Sequence, residues 1–160
     1  MDSINRIRTI SIWIFIVSLI TLNLCLFISI NYHLLEDTIF TVDQLGRSAF
    51  TIPYIDGSIS ISRTARTFPA YLIFKPGMLI TSILLILYWR AYNKLIQTIN
   101  NDFSKKKYFL YFGIASALCL LTHSILLGFH LEVDIYKFFR RLVLLSFIIF
   151  EIVAQALLIK

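Results

Sequence analysis

Cysteine and histidine are scarce in this chain: 160 residues hold two of the former and three of the latter. Cys25 and Cys119 both fall inside long apolar runs, where a thiol usually behaves as a small hydrophobe, and nothing points to a disulfide framework. His123 and His130 share a helix face but stand about 10 Å apart at helical rise, too far to hold one zinc ion. No metal site and no cofactor is implied. Nucleophile and transport motifs are missing too, so no activity identifies itself from a motif. Nor does the N-terminal run look like a cleaved leader. It is too long for a signal-peptide core and lacks a small-residue cleavage site, and Leu24 stands where a lipoprotein signal has a small residue before its cysteine. The expectation is an anchor that stays.

What the chain has is apolar sequence. Hydrophobic residues make up 58% of it, and they gather in four runs, Ile10–Ile30, Ala70–Tyr88, Tyr108–Phe129 and Leu142–Ile159. Each is close to the 20 or so residues that a helix needs to cross a hydrocarbon core of about 30 Å. A soluble domain of this size could not hide that much apolar surface. The fold expected is all-α: a single-domain, integral membrane four-helix bundle with a small extracytoplasmic loop cap.

The net charge is +6, but the basic residues flank the spans rather than covering a soluble face. Their first meaning is therefore topology and anionic headgroups, not nucleic acid. Arg6 and Arg8 precede the first run, and Arg90, Lys94 and the run Lys105-Lys106-Lys107 connect the second and third. These predict that both termini are cytoplasmic, although Arg47, Arg63, Arg66, Lys75, Lys137, Arg140 and Arg141 nearly balance them on the outside. The external loop is then Asn31–Pro69. Within it Gly57–Ser62 alternates small or polar with β-branched residues, as a half-buried strand does, and Pro53 and Asp56-Gly57 are turn formers. A short strand or hairpin and an irregular loop are both compatible with this pattern. In the second run Lys75-Pro76-Gly77 predicts a kink or restart, with Ala70–Phe74 in the interface and Lys75 snorkelling. Tyr88 and Trp89 read as an aromatic belt at its far end.

Polar side chains inside lipid are costly and therefore informative. Ser11, Ser18, Cys25 and Ser29 fall on one face of the first span, and Gly113 and Ala117 form a small-xxx-small pair on the third. Both sets point to close helix packing. Glu151 is the sharpest anomaly. It lies near the middle of the fourth span with Gln155 one turn on and on the same face. His123 and Asn23 fall at comparable depth, so Asn23, His123, Glu151 and Gln155 are candidates for an intramembrane polar cluster. The cluster has two readings, a hydrogen-bonded pin for the bundle or a proton relay or acid/base pair built on Glu151 and His123. At the outer face Arg63, Arg66, Arg140 and Arg141 are candidates for gripping lipid phosphates, because guanidinium forks match phosphate oxygens. The plainer reading is that they anchor helix ends in the interface.

The segment Pro53-Tyr54-Ile55-Asp56-Gly57-Ser58, with Pro69 and Phe74 leading into the second span, resembles the DRAM/Sfk family of multi-pass membrane proteins. His123 and His130 around the third external turn, and Phe138-Phe139 entering the fourth span, are similar to the same pattern. The resemblance runs over Thr51 through Phe150. Such proteins usually have six spans, so on this comparison the four-span chain is a shortened relative or part of a longer reading frame. The resemblance implies lipid or glycolipid homeostasis and supplies no catalytic machinery. Together these features lead to a membrane protein that binds membrane lipids, another membrane protein or a second copy of itself, without catalysis of its own. A lipid-modifying enzyme and a subunit of an oligomeric ion or proton pathway are the rival classes.

Overall fold

The computed structural model describes residues 2–31, 64–65, 67–99, 107–127 and 134–159. They form four helices: α1 Asp2–Ile30, α2 Ala70–Ile99, α3 Tyr108–Leu126 and α4 Asp134–Ile159. All four are long and apolar enough to cross a membrane. In lipid every backbone N–H and C=O must find its partner within the chain, and a helix achieves this locally. The chain is a multi-pass membrane protein.

Three of the helices run past their apolar segments. α1 starts at Asp2 rather than Ile10, α2 continues to Ile99 beyond Tyr88, and α4 begins at Asp134, ahead of Leu142. The flanking residues (Arg6, Arg8, Lys94, Gln97) include good helix formers, so nothing stops the helix at the edge of the hydrocarbon. Asp134 suits the positive end of the α4 dipole and pairs at 3.1 Å with Lys137. The segment expected to form an extracytoplasmic strand or cap lies outside the described residues.

Neighbours in sequence are neighbours in space: α1 packs on α2, α2 on α3 and α3 on α4. Each pair is antiparallel, as its contacts show. Cys25 Sγ donates to Ala70 O at 3.4 Å, while Ser124 Oγ near the end of α3 donates to Lys75 O near the start of α2 at 3.2 Å. The ends carrying Ile30, Ala70, Leu126 and Asp134 therefore share one face of the bundle, called here the loop end. There the Tyr136 hydroxyl donates to Leu126 O, tying the start of α4 to the end of α3. Among the described residues α1 and α4 do not pack along their lengths.

The expected small-residue faces are used for packing. Thr21, Cys25 and Ser29 of α1 are buried, whereas Ser18 is half-buried and Ser11 exposed. Gly77 of α2 lies so close to Thr21 that a Cβ there would overlap the threonine side chain. The outward faces are apolar: Trp13, Phe15 and Phe27 on α1, and Phe138, Leu145 and Ile152 on α4, are exposed. That is the surface a bilayer solvates.

Two local expectations are corrected. The restart expected at Pro76 is absent: α2 is one helix from Ala70 to Ile99 with Pro76 inside it. Proline is tolerated inside a membrane helix because neighbouring groups can re-satisfy its backbone. The carbonyl that loses its helical donor at Pro76 is that of Leu72, and on either side of the proline Ser124 Oγ donates to Lys75 O at 3.2 Å and Thr81 Oγ1 to Gly77 O at 2.9 Å. The second correction is Trp89, which is no belt residue: it is fully buried.

Candidate functional site

Trp89 is buried because α3 leaves room for it. Gly113 lies under its indole so closely that any Cβ would overlap the ring atoms, and Phe109 packs beside it with ring centroids 6.3 Å apart. Tyr88 meets the indole edge-on at 5.3 Å. An indole N–H buried this deeply needs an acceptor. Its partner is Glu151 of α4, whose Oε2 accepts from Trp89 Nε1 at 3.3 Å.

The same carboxylate oxygen accepts from Ser116 Oγ at 2.6 Å. Ser116 also lies 2.8 Å from Gly113 O, and one hydroxyl proton serves one acceptor at a time. Gln155 Nε2, a turn along α4, donates to Glu151 Oε1 at 3.2 Å. Glu151 thus joins three helices, with a donor from α2, one from α3 and one from its own helix.

His123 is held elsewhere. It lies seven residues beyond Ser116 towards the loop end of α3, about 10 Å at helical rise, beside Arg140 of α4. The ring is buried, 7% exposed. Its Nδ1 has no hydrogen-bond partner.

Glu151 and His123 share a cavity of about 520 Å³. α1 contributes Ile14, Ser18 and Leu22, α2 Phe74, Met78, Thr81 and Leu85, α3 Leu120 and His123, and α4 Leu144, Phe147 and Glu151. Ala65 and Leu127 close the loop end. The hydroxyls facing it are satisfied on their own helices: Ser18 Oγ donates to Ile14 O at 2.7 Å and Thr81 Oγ1 to Gly77 O at 2.9 Å. Leu144, which lines the cavity, is 37% exposed.

Of the four residues expected to form an intramembrane polar cluster, Glu151 and Gln155 bond each other, and His123 joins Glu151 only through the cavity. Asn23 is not brought in. It is exposed on α1 and donates to Leu19 O at 2.8 Å. Asn23 stands two residues from both Thr21 and Cys25. At about 100° per residue that places it on the opposite face from the pair that packs on α2. Of the four arginines, Arg140 is half-buried beside His123 and Arg141 is exposed, both near the start of α4. Arg63 and Arg66 lie outside the described residues. Among the described residues no group of His, Cys, Asp and Glu could hold a metal ion.

Sequence reasoning missed Trp89 and Ser116 as the partners of Glu151. The available signal was Gly113-x-x-Ser116-Ala117, a run of small residues on one face that makes room for a large side chain with an N–H to satisfy.

No family model, curated protein or solved structure matches the chain.

Proposed function

We propose that this membrane protein binds lipid in the cavity between its helices. The observation that carries the reading is the cavity itself. It lies within the roughly 300–1,000 Å³ range of small-molecule sites and is apolar along most of its wall. Among the described residues its wall includes side chains of α1 and α4, the first and last helices, which pack on each other far less than sequence neighbours do. A hydrocarbon chain suits such a space: it matches the wall chemically and reaches it from the bilayer without passing through water. The resemblance to the DRAM/Sfk family points towards lipid homeostasis as well. The outer arginines supply a second contact in this proposal, to phosphates of the surrounding leaflet.

Glu151 belongs to the frame of the cavity in this reading. Its two oxygens already accept three donors, an arrangement suited to pinning helices together.

The test is native mass spectrometry of the protein released from membranes in polymer nanodiscs. The double variant Ser18→Phe and Leu144→Trp fills the cavity from residues that are not fully buried. It should lose co-purified single-chain lipid while keeping the wild-type melting temperature. Equal lipid occupancy in the variant overturns the reading.

A further inference from the structure

A charged side chain inside lipid is costly unless a counter-charge meets it. Among the described residues Glu151 forms no ion pair; the one that does occur joins Lys137 to Asp134. Its contacts are neutral donors, Trp89 Nε1 and Ser116 Oγ on Oε2 and Gln155 Nε2 on Oε1. An ionised carboxylate has about four lone-pair sites, so these donors leave one open on Oε1. Glu151 is half-buried and lines the cavity, to whose wall no Lys or Arg of the described residues contributes. His123, the other titratable residue of that wall, is set about 10 Å along α3 from Ser116 at helical rise.

The hydrogen bonds around Glu151 hold it in either charge state. At 2.6 Å the Ser116 contact has the length of an O–H···O⁻ bond, and Ser116 Oγ also lies 2.8 Å from Gly113 O. When the carboxyl is neutral, its O–H donates to Ser116 Oγ and the Ser116 proton goes to Gly113 O. When it is ionised, Ser116 turns and donates to Oε2. No polar group of the network is orphaned in either state, yet the ionised state still needs a cation.

The cavity places that cation at one end. Along α2 its wall runs from Leu85, one turn from Trp89, to Phe74, about 16 Å at helical rise towards the loop end. On α4 Glu151 is the cavity residue farthest from the loop end, after Leu144 and Phe147. We infer that the cavity takes a single-chain lipophilic amine, its ammonium paired with Glu151 and its chain lying along Leu85, Met78 and Phe74. This rests on the lipid-binding reading above and names the class of ligand. The free base enters from the bilayer uncharged and takes the proton of the neutral carboxyl. An O–H bond breaks and an N–H bond forms, so the pair as a whole stays neutral and no net charge crosses the lipid. The carboxylate keeps Trp89, Ser116 and Gln155, so the pin between α2, α3 and α4 persists with ligand bound.

The experiment compares radiolabelled 1-tetradecylamine and 1-tetradecanol on the full chain in nanodiscs of zwitterionic phospholipid, with protein-free discs as the blank. Wild type should bind the amine roughly tenfold more tightly. Glu151→Gln keeps an acceptor for Trp89 and Ser116, and it should erase that preference while leaving the alcohol's affinity unchanged. Glu151→Asp, which keeps the charge on a shorter side chain, should retain part of the preference. The infrared spectrum of amine-loaded wild type minus that of amine-loaded Glu151→Gln should show an ionised-carboxylate band; a neutral-carboxyl band in its place overturns the ion pair. Equal binding of both probes by wild type, or a preference that survives Glu151→Gln, overturns the role of Glu151 and leaves the cavity reading standing. If neither probe binds wild type, or if Ser18→Phe with Leu144→Trp lowers the binding of neither, the cavity reading itself falls. Should Glu151→Gln not fold, wild type and Glu151→Asp still decide, since both must prefer the amine. Displacement of the amine by sodium ions as readily as by unlabelled amine would also overturn the proposal, because it would assign the carboxylate to a small cation.

Discussion

Ser116 Oγ stands 2.6 Å from Glu151 Oε2, a hydrogen bond between side chains that joins α3 to α4. Its environment separates architecture from chemistry. Glu151→Gln keeps an acceptor for Trp89 and Ser116 and should melt within about 0.5 kcal/mol of wild type. Glu151→Leu leaves the buried Trp89 N–H without an acceptor, although Ser116 can still turn to Gly113 O, and should cost roughly 1–3 kcal/mol. Thermal melts in one detergent check both. If Glu151→Leu is as stable as wild type, the carboxylate does not pin the bundle.

The Gly113–Trp89 contact makes a sharper claim about packing. Gly113→Ala places a methyl group against a rigid, enclosed ring and should destabilise by about 1–3 kcal/mol. Trp89→Leu should also destabilise, but combining the two should cost less than their sum, since the smaller side chain makes room for the methyl. Strict additivity in a double-mutant cycle would mean that the two positions do not press on each other.

Orientation is testable apart from stability. In a background lacking Cys25 and Cys119, a cysteine at Ser58 should react with an impermeant thiol reagent added to intact cells, and one at Ser104 should not. The reverse pattern would place the Lys105-Lys106-Lys107 run outside.

The arginines expected at the outer face supply a prediction about headgroups. Arg63→Gln with Arg66→Gln should reduce co-purified anionic phospholipid, and adding Arg141→Gln should reduce it further, because charge-assisted contacts to phosphate accumulate. Arg140 is left unchanged, since it is half-buried beside His123. Unchanged phospholipid occupancy in the triple variant would leave these residues as interface anchors.

The spans could be read from the sequence because crossing a membrane is a property of one segment at a time: about twenty apolar residues suffice, whatever lies beside them. Glu151 stood out for the same reason, since a carboxyl among Ile148, Ile149, Phe150, Ile152 and Val153 is anomalous without reference to any partner. Its partners were harder to find. Trp89 sits next to Arg90 at the end of an apolar run and has the local signature of a belt residue. Only the antiparallel register of α2 on α3, fixed by contacts such as Ser124 with Lys75 O, turns it inward over Gly113. Asn23 failed to join the cluster for a related reason. Depth can be counted along a chain, but azimuth depends on which face its neighbour takes. Pro76 removes one backbone donor, and α2 continues through that local defect to Ile99.

In the lipid-binding proposal, the route into the cavity runs between α1 and α4 in the plane of the membrane. The effective concentration of a ligand would then be its mole fraction among bilayer lipids. Occupancy would follow membrane composition and local enrichment, and a compound barely soluble in water would still reach the site readily. A change in how the surrounding leaflet is made or turned over could therefore load or empty the protein, with no aqueous signal passing between them.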